Sequence, residues 1–97
     1  MPYSPPLNST RIDPNSWHVI QEGFNFFGHW GNFYVRVTSR NPRSGEPFIR
    51  INSSVPPWHA EIGLNFDQIH QIHRWGNYYK VQVYNPGPET VFLEIDP

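Results

Sequence analysis

Trp30-Gly31-Asn32-Phe33-Tyr34-Val35-Arg36-Val37-Thr38-Ser39-Arg40 is an aromatic turn followed by strict alternation. Phe33, Val35, Val37 and Ser39 fall on one side of an extended chain, and Tyr34, Arg36, Thr38 and Arg40 on the other. A period of two marks a strand with one face buried. The same text returns as Trp75-Gly76-Asn77-Tyr78-Tyr79-Lys80-Val81-Gln82-Val83-Tyr84, with Tyr79, Val81 and Val83 inward and Tyr78, Lys80, Gln82 and Tyr84 outward. Glycine or asparagine takes positive φ cheaply, so each Trp-Gly-Asn reads as a tight turn that delivers an aromatic-rich strand.

The repetition extends outward from these stretches. Trp17-His18, Gly23-Phe24-Asn25-Phe26, Trp30-Gly31-Asn32, Asn41-Pro42 and Phe48-Ile49-Arg50-Ile51 are matched, in order, by Trp58-His59, Gly63-Leu64-Asn65-Phe66, Trp75-Gly76-Asn77, Asn85-Pro86 and Phe92-Leu93-Glu94-Ile95. Landmarks repeated in one order imply that a half-domain was copied end to end, giving repeats 17–56 and 58–97. The offset grows from 40 at Gly-x-Asn-Phe to 45 at Trp-Gly-Asn, so the second copy carries an insertion, Asp67-Gln68-Ile69-His70-Gln71-Ile72-His73, and a fall to 44 just afterwards predicts a bulge difference.

Asn-Pro cannot continue a strand ladder, so each long strand should turn, through Arg43-Ser44-Gly45-Glu46 or Gly87-Pro88-Glu89, into a further strand and form a hairpin. Ile49 and Ile51, or Val91, Leu93 and Ile95, would face inward there. The Gly-x-Asn-Phe segments read as shorter strands with Phe24 and Phe26, or Leu64 and Phe66, buried, and another strand should follow each Trp-His. The expectation is an all-β domain: an antiparallel β-sandwich or small barrel of about eight short strands, its halves related by a pseudo-twofold axis. Residues 17–97 form this single β domain. Residues 1–16 hold four of the eleven prolines and read as an extended arm, either a disordered leader or a segment that covers a sheet edge or crosses to a neighbouring subunit, with Tyr3, Leu7 and Ile12 as pegs.

Composition narrows the function classes. With 97 residues the two copies must share one core. Seven basic and eight acidic residues, scattered singly, give a net charge of −1 and no electrostatic footprint for nucleic acid. There is no cysteine, so neither a disulfide framework nor thiolate chemistry is available. No apolar run reaches membrane-spanning length, and Met1 to Pro6 has neither the basic start nor the apolar stretch of a signal peptide. The sequons at Asn8 and Asn52 matter only in a glycosylating host.

Four tryptophans and five tyrosines exceed what a core of this size needs, so some rings belong at the surface, where aromatic residues favour recognition. Trp30 and Trp75 have two readings, as turn-packing core residues or as platforms. As platforms they would stack on the apolar face of a sugar while neighbouring amides and cations bind its hydroxyls. The ligand-binding candidates are Trp30, Asn32, Tyr34 and Arg36 in one repeat and Trp75, Asn77, Tyr78 and Lys80 in the other. The same outward rows can also be simply the solvated face of a sheet with cross-strand pairs. Two similar sites would make the domain bivalent for repeated ligands.

Catalysis finds little support. The chain has no nucleophile elbow, phosphate-cradling glycine loop or His-Glu-x-x-His motif, and its acids fall mostly in turns or on solvent faces, with Glu46 and Glu89 only loosely matched between repeats. His18 and His59 read as structural. His70 and His73 could face one metal ion on a helical turn, but nothing convincing completes the shell. No cofactor is expected. The layout is similar in general form to small lectins and to the β-sandwich modules of toxins or virion surfaces, without a diagnostic motif of any. The expectation is therefore a non-enzymatic binding module for a glycan or other polar surface ligand. The alternative is a structural or protein-interaction module, an oligomeric surface component that assembles through its arm and aromatic face into a homo-oligomer.

Overall fold

The computed structural model describes residues 4–41 and 45–96. Tyr3, Pro42 and the Arg43-Ser44 part of the first turn lie outside the described residues. Eight strands follow one another: β1 Thr10–Ile12, β2 Ser16–Phe24, β3 Asn32–Ser39, β4 Phe48–Ser53, β5 His59–Gly63, β6 His70–His73, β7 Tyr78–Asn85 and β8 Val91–Asp96. They form two four-stranded antiparallel sheets, ordered β1-β8-β3-β6 and β2-β7-β4-β5. This is an open sandwich rather than a closed barrel, and its strand order is that of a jelly roll. Among the described residues no helix is long and apolar enough to cross a membrane.

The alternation legible in the sequence fills the space between the sheets. Phe33, Val35 and Val37 from β3, Ile49 and Ile51 from β4, Tyr79, Val81 and Val83 from β7, and Val91 and Leu93 from β8 are all buried in one cluster with Ile12, Leu64 and Ile72. Residues 17–56 and 58–97 both contribute to it. Burial pushes the Tyr79 phenol up to about 12, against an opposing pull from Arg74, and its hydroxyl donates to the His73 carbonyl at 2.7 Å. Ile95, expected inside, is partly exposed near the end of β8.

The connections depart from expectation. The strands joined through Asn-Pro are not hairpins: β3 lies between β8 and β6, and β4 between β7 and β5. The chain crosses from one sheet to the other at every connection except β4 to β5. Alternation specifies which side chains face the core but is equally satisfied when the next strand packs opposite, about 10 Å away, instead of alongside. The strand inventory also shifts. Trp17-His18 and Gly23-Phe24 belong to one strand, β2, as Trp58-His59 and Gly63 flank or form β5. The count reaches eight because the arm supplies β1, paired with β8, and the insertion supplies β6, paired with β3. Ile12 is indeed a buried peg, whereas Leu7 is exposed.

Residues 17–56 and 58–97 meet at the sandwich centre, where β3 pairs with β8 and β7 with β4. Carrying the Arg36 and Glu94 pairing across by the 44-residue offset would set Lys80 opposite Arg50. Instead Lys80 faces Asn52 and Arg50 faces Gln82, a slide of two residues. Such a slide keeps every side chain on its face while separating two like charges. Away from the centre, β2 and β5 both lie in the β7-β4 sheet. Their landmarks diverge accordingly: Leu64 is buried and Phe66 half-buried, while Phe24 and Phe26, expected inside, are exposed.

Asn85, the residue before Pro86, is fully buried at the opposite end from the Trp-Gly-Asn turns. Its amide donates to the carbonyls of Ile12 at 3.0 Å and Glu89 at 2.8 Å, and its oxygen accepts from the Gly87 N–H at 2.9 Å. One side chain thus ties β1 to β7 and closes the β7–β8 turn. Asn85→Ala leaves buried partners unsatisfied and should cost about 3 kcal/mol in urea unfolding. A loss below about 1 kcal/mol would contradict this role.

Candidate functional site

On β3, Tyr34 and Arg36 project from the outer face of the β1-β8-β3-β6 sheet, because Phe33, Val35 and Val37 are committed to the core. The antiparallel register sets Asp96 opposite Tyr34 and Glu94 opposite Arg36. Arg36 grips Glu94 with two parallel bonds, Nε to Oε1 and Nη2 to Oε2, both 3.0 Å. The hydrogen bond to Glu94, then the charge of that carboxylate, raises the guanidinium above its ordinary value. Ile69, from the β5–β6 connection, walls a depression of about 420 Å³ lined also by Tyr34, Val35, Arg36, Glu94 and Asp96. Tyr34 leaves much of its ring open to it.

The eight residues singled out in the sequence do not form two matching sites. Tyr34 and Arg36 share the depression. Asn32 opens β3 opposite His73, and Trp30 stands exposed on the preceding loop with its indole N–H donating to the Phe27 carbonyl at 2.8 Å. In the second repeat, Trp75 is half-buried against Tyr79, with ring centroids 5.6 Å apart, and its indole donates to the carbonyls of Pro57 at 2.9 Å and Val55 at 3.3 Å. Asn77 donates to the carbonyls of Asn25 at 3.2 Å and Phe26 at 3.0 Å. Trp75 and Asn77 therefore act as clamps between loops. Tyr78 and Lys80 lie on the outer face of the other sheet, both on Glu22, at 3.2 Å and 3.3 Å. Burial and the bond to Glu22 raise the Tyr78 phenol.

Other outward groups come together only through the fold. Glu94 and Asp96 join Tyr34 only through the β3–β8 register, and no local motif announces them. Trp17, Tyr84 and Phe48 gather on the outer face of the β2-β7-β4-β5 sheet, with Trp17 4.8 Å from Tyr84 and 5.6 Å from Phe48, and the Arg50 guanidinium lies 4.8 Å above the indole. The alternation sets Tyr84, Phe48 and Arg50 outward, and the pairing of β7 with β2 and β4 brings Trp17 beside them. Among the histidines, His29 is buried between Gly23 and Gln21, and His59 meets Asn52 and Glu61. His70 and His73 sit on a strand rather than a helical turn, and a spacing of three puts them on opposite faces. Among the described residues no group of three or more His, Cys, Asp or Glu side chains is placed to hold a metal ion.

No protein-family model matches the sequence, and no curated protein matches it. A solved crystal structure, that of PirA, superposes with a TM-score of 0.69 over 92% of this chain and 90% of the PirA chain, at 16% sequence identity. The likeness is one of fold. PirA and this chain share the sandwich, and at that identity the outer-face side chains have to be read for themselves.

The two Trp-Gly-Asn turns can be told apart experimentally. Gly31 and Gly76 both have positive φ, 78° and 90°, but a Cβ at Gly31 would meet open space, whereas at Gly76 it would collide with Ser53 Oγ. Ser53 Oγ is itself engaged, donating to the Trp75 carbonyl at 2.9 Å. Gly31→Ala should cost about 1 kcal/mol of backbone strain, and Gly76→Ala about 3 kcal/mol, in equilibrium unfolding. Equal losses would mean that the Trp75 turn is not the anchored one.

Proposed function

We propose that the protein is a non-enzymatic carbohydrate-binding module whose site is the depression at Tyr34. The observation that carries this reading is the placement of a partly exposed phenol ring beside the forked Arg36–Glu94 pair, with Asp96 directly across the strand. A sugar offers an apolar face of C–H groups and a rim of hydroxyls that both donate and accept. The ring stacks on the first, the carboxylates accept from the second, and the guanidinium donates. The ion pair takes two of the five guanidinium N–H groups, so Arg36 keeps donor capacity for a ligand while its plane stays fixed. At about 420 Å³ the depression falls in the range of small-ligand sites and is open to solvent, which suits a short saccharide more than a buried cofactor.

Only one of the two anticipated sites supports this role. Tyr78 and Lys80 share Glu22 on the opposite sheet, while Trp75 and Asn77 are spent on clamping loops, so binding is expected at one place per chain and bivalency has no structural basis. A glycan array followed by NMR titration tests the proposal. The expected result is binding of a neutral saccharide with shifts concentrated at Tyr34, Arg36 and Asp96. Tyr34→Ala and Asp96→Asn should each weaken it at least about tenfold, with unfolding stability changed by less than about 1 kcal/mol. A blank array, or shifts that avoid β3 and β8, would remove the proposal.

A further inference from the structure

Three connections meet at one end of the sandwich: residues 25–31 between β2 and β3, 54–58 between β4 and β5, and 74–77 between β6 and β7. They present Phe26, Phe27 and Trp30 at 77%, 81% and 77% exposure, flanked by Phe24 at 69% and Trp58 at 61%. Rings this open are costly to leave in water, and so many of them gathered at one end mark a contact surface. We infer that this end is a membrane-contact tip, built to enter the interfacial layer of a lipid bilayer. It is a different surface from the Tyr34 depression and does not rest on the carbohydrate reading.

The first argument is charge. Residues 25–31, 54–58 and 74–77 contain no Asp, Glu or Lys, and their one Arg, Arg74, is folded back onto the sandwich, its Nε donating to the Gln21 side chain at 3.0 Å and its guanidinium 4.7 Å over the Phe33 ring. Their histidine, His29, is also turned inward, with its ring nitrogens at the Gly23 carbonyl and the Gln21 amide. A charged or strongly polar partner would need complementary charges on this tip; a bilayer interface needs none.

The second argument is the backbone. A loop that leaves water for an apolar phase must bring its own hydrogen-bond partners, since each unmet N–H or C=O costs several kcal/mol there. These loops bring them. The N–H groups of Asn25, Phe27, Gly28 and His29 bond within the tip, to Asn77, the Asn25 side chain, Asn25 and Gly76. The carbonyls of Asn25 and Phe26 accept from Asn77, that of Phe27 from the Trp30 indole, and those of Val55 and Pro57 from the Trp75 indole. Pro56 and Pro57 have no N–H to satisfy. What these loops offer outward is apolar ring, and ring is what an interface rewards: Trp and Phe partition to the boundary between headgroups and acyl chains.

The third argument is rigidity. Asn77 and Trp75 bind the two aromatic loops to one strand end, and Phe26 and Phe27 brace each other edge to face at 5.4 Å. The loop backbone and the Trp30 indole are thus fixed before contact, so little backbone freedom is lost on insertion.

The test uses the full chain and vesicles of zwitterionic phosphatidylcholine, read by flotation and by tryptophan emission with brominated-lipid quenching. Because the exposed rings of the tip carry no charge and Arg74 is turned back onto Gln21 and Phe33, binding is expected without anionic lipid and unchanged when salt is raised to about 0.5 M. The double variant F26S/F27S should lower partitioning at least about tenfold. Trp58→Ser, on a separate loop, should also lower it, and Tyr34→Ala should leave it intact. Failure to float with neutral vesicles would overturn the inference. So would binding that appears only with anionic lipid and vanishes in salt, or a dimer abolished by F26S/F27S in a chain that ignores lipid. Loss of sugar binding alone would count against the Tyr34 site and not against the tip.

Discussion

The structure depends on one packing constraint: the inward side chains of β3, β4, β7 and β8 interdigitate between two sheets, and neither sheet buries them alone. Each sheet draws its central pair from both halves of the chain, β3 with β8 and β4 with β7. Half the molecule therefore cannot complete a sheet, let alone a core. With so little apolar surface in a chain of 97 residues, the stability left over after conformational entropy is small, and it exists only when both halves are in place.

That constraint frees the outer faces and the loops. Since alternate residues are committed inward, Tyr34 and Arg36 must look out, and the register with β8 brings Glu94 and Asp96 beside them. At the sandwich end, the repeated Trp-Gly-Asn serves two different purposes. The copy at Trp75 is sunk into the structure and clamps three loops through its indole and Asn77, while the copy at Trp30 stays outside as part of the ring cluster. Where two copies of a motif share one small core, one copy can hold the scaffold and the other is released for contact.

How much of this was legible follows from what alternation encodes. The inward residues of β3, β4 and β7 were readable from the period of two, as was the all-β class, while the count of eight is met by a different set of strands from the one expected. Which strand lies beside which was not, because Ile49 faces the core equally well from a hairpin or from the opposite sheet. Phe24 and Phe26 were misplaced for a related reason: nothing local distinguishes a phenylalanine at a strand end that packs, as Leu64 does, from one that protrudes. The short strands β1 and β6 were hidden in a proline-rich arm and an insertion, whose neighbours β8 and β3 lie far away in sequence. The depression at Tyr34 was half legible, its β3 side from the outward row and its β8 side only from the fold.

Native-state hydrogen exchange measures the shared core most directly. If the two halves close over one interior, the core amides of Val35, Val37, Ile51, Val81, Val83 and Leu93 should exchange through a single global opening, with one free energy equal to that of unfolding. Two separate plateaus, with the strands of residues 17–56 opening at a different free energy from those of residues 58–97, would contradict it.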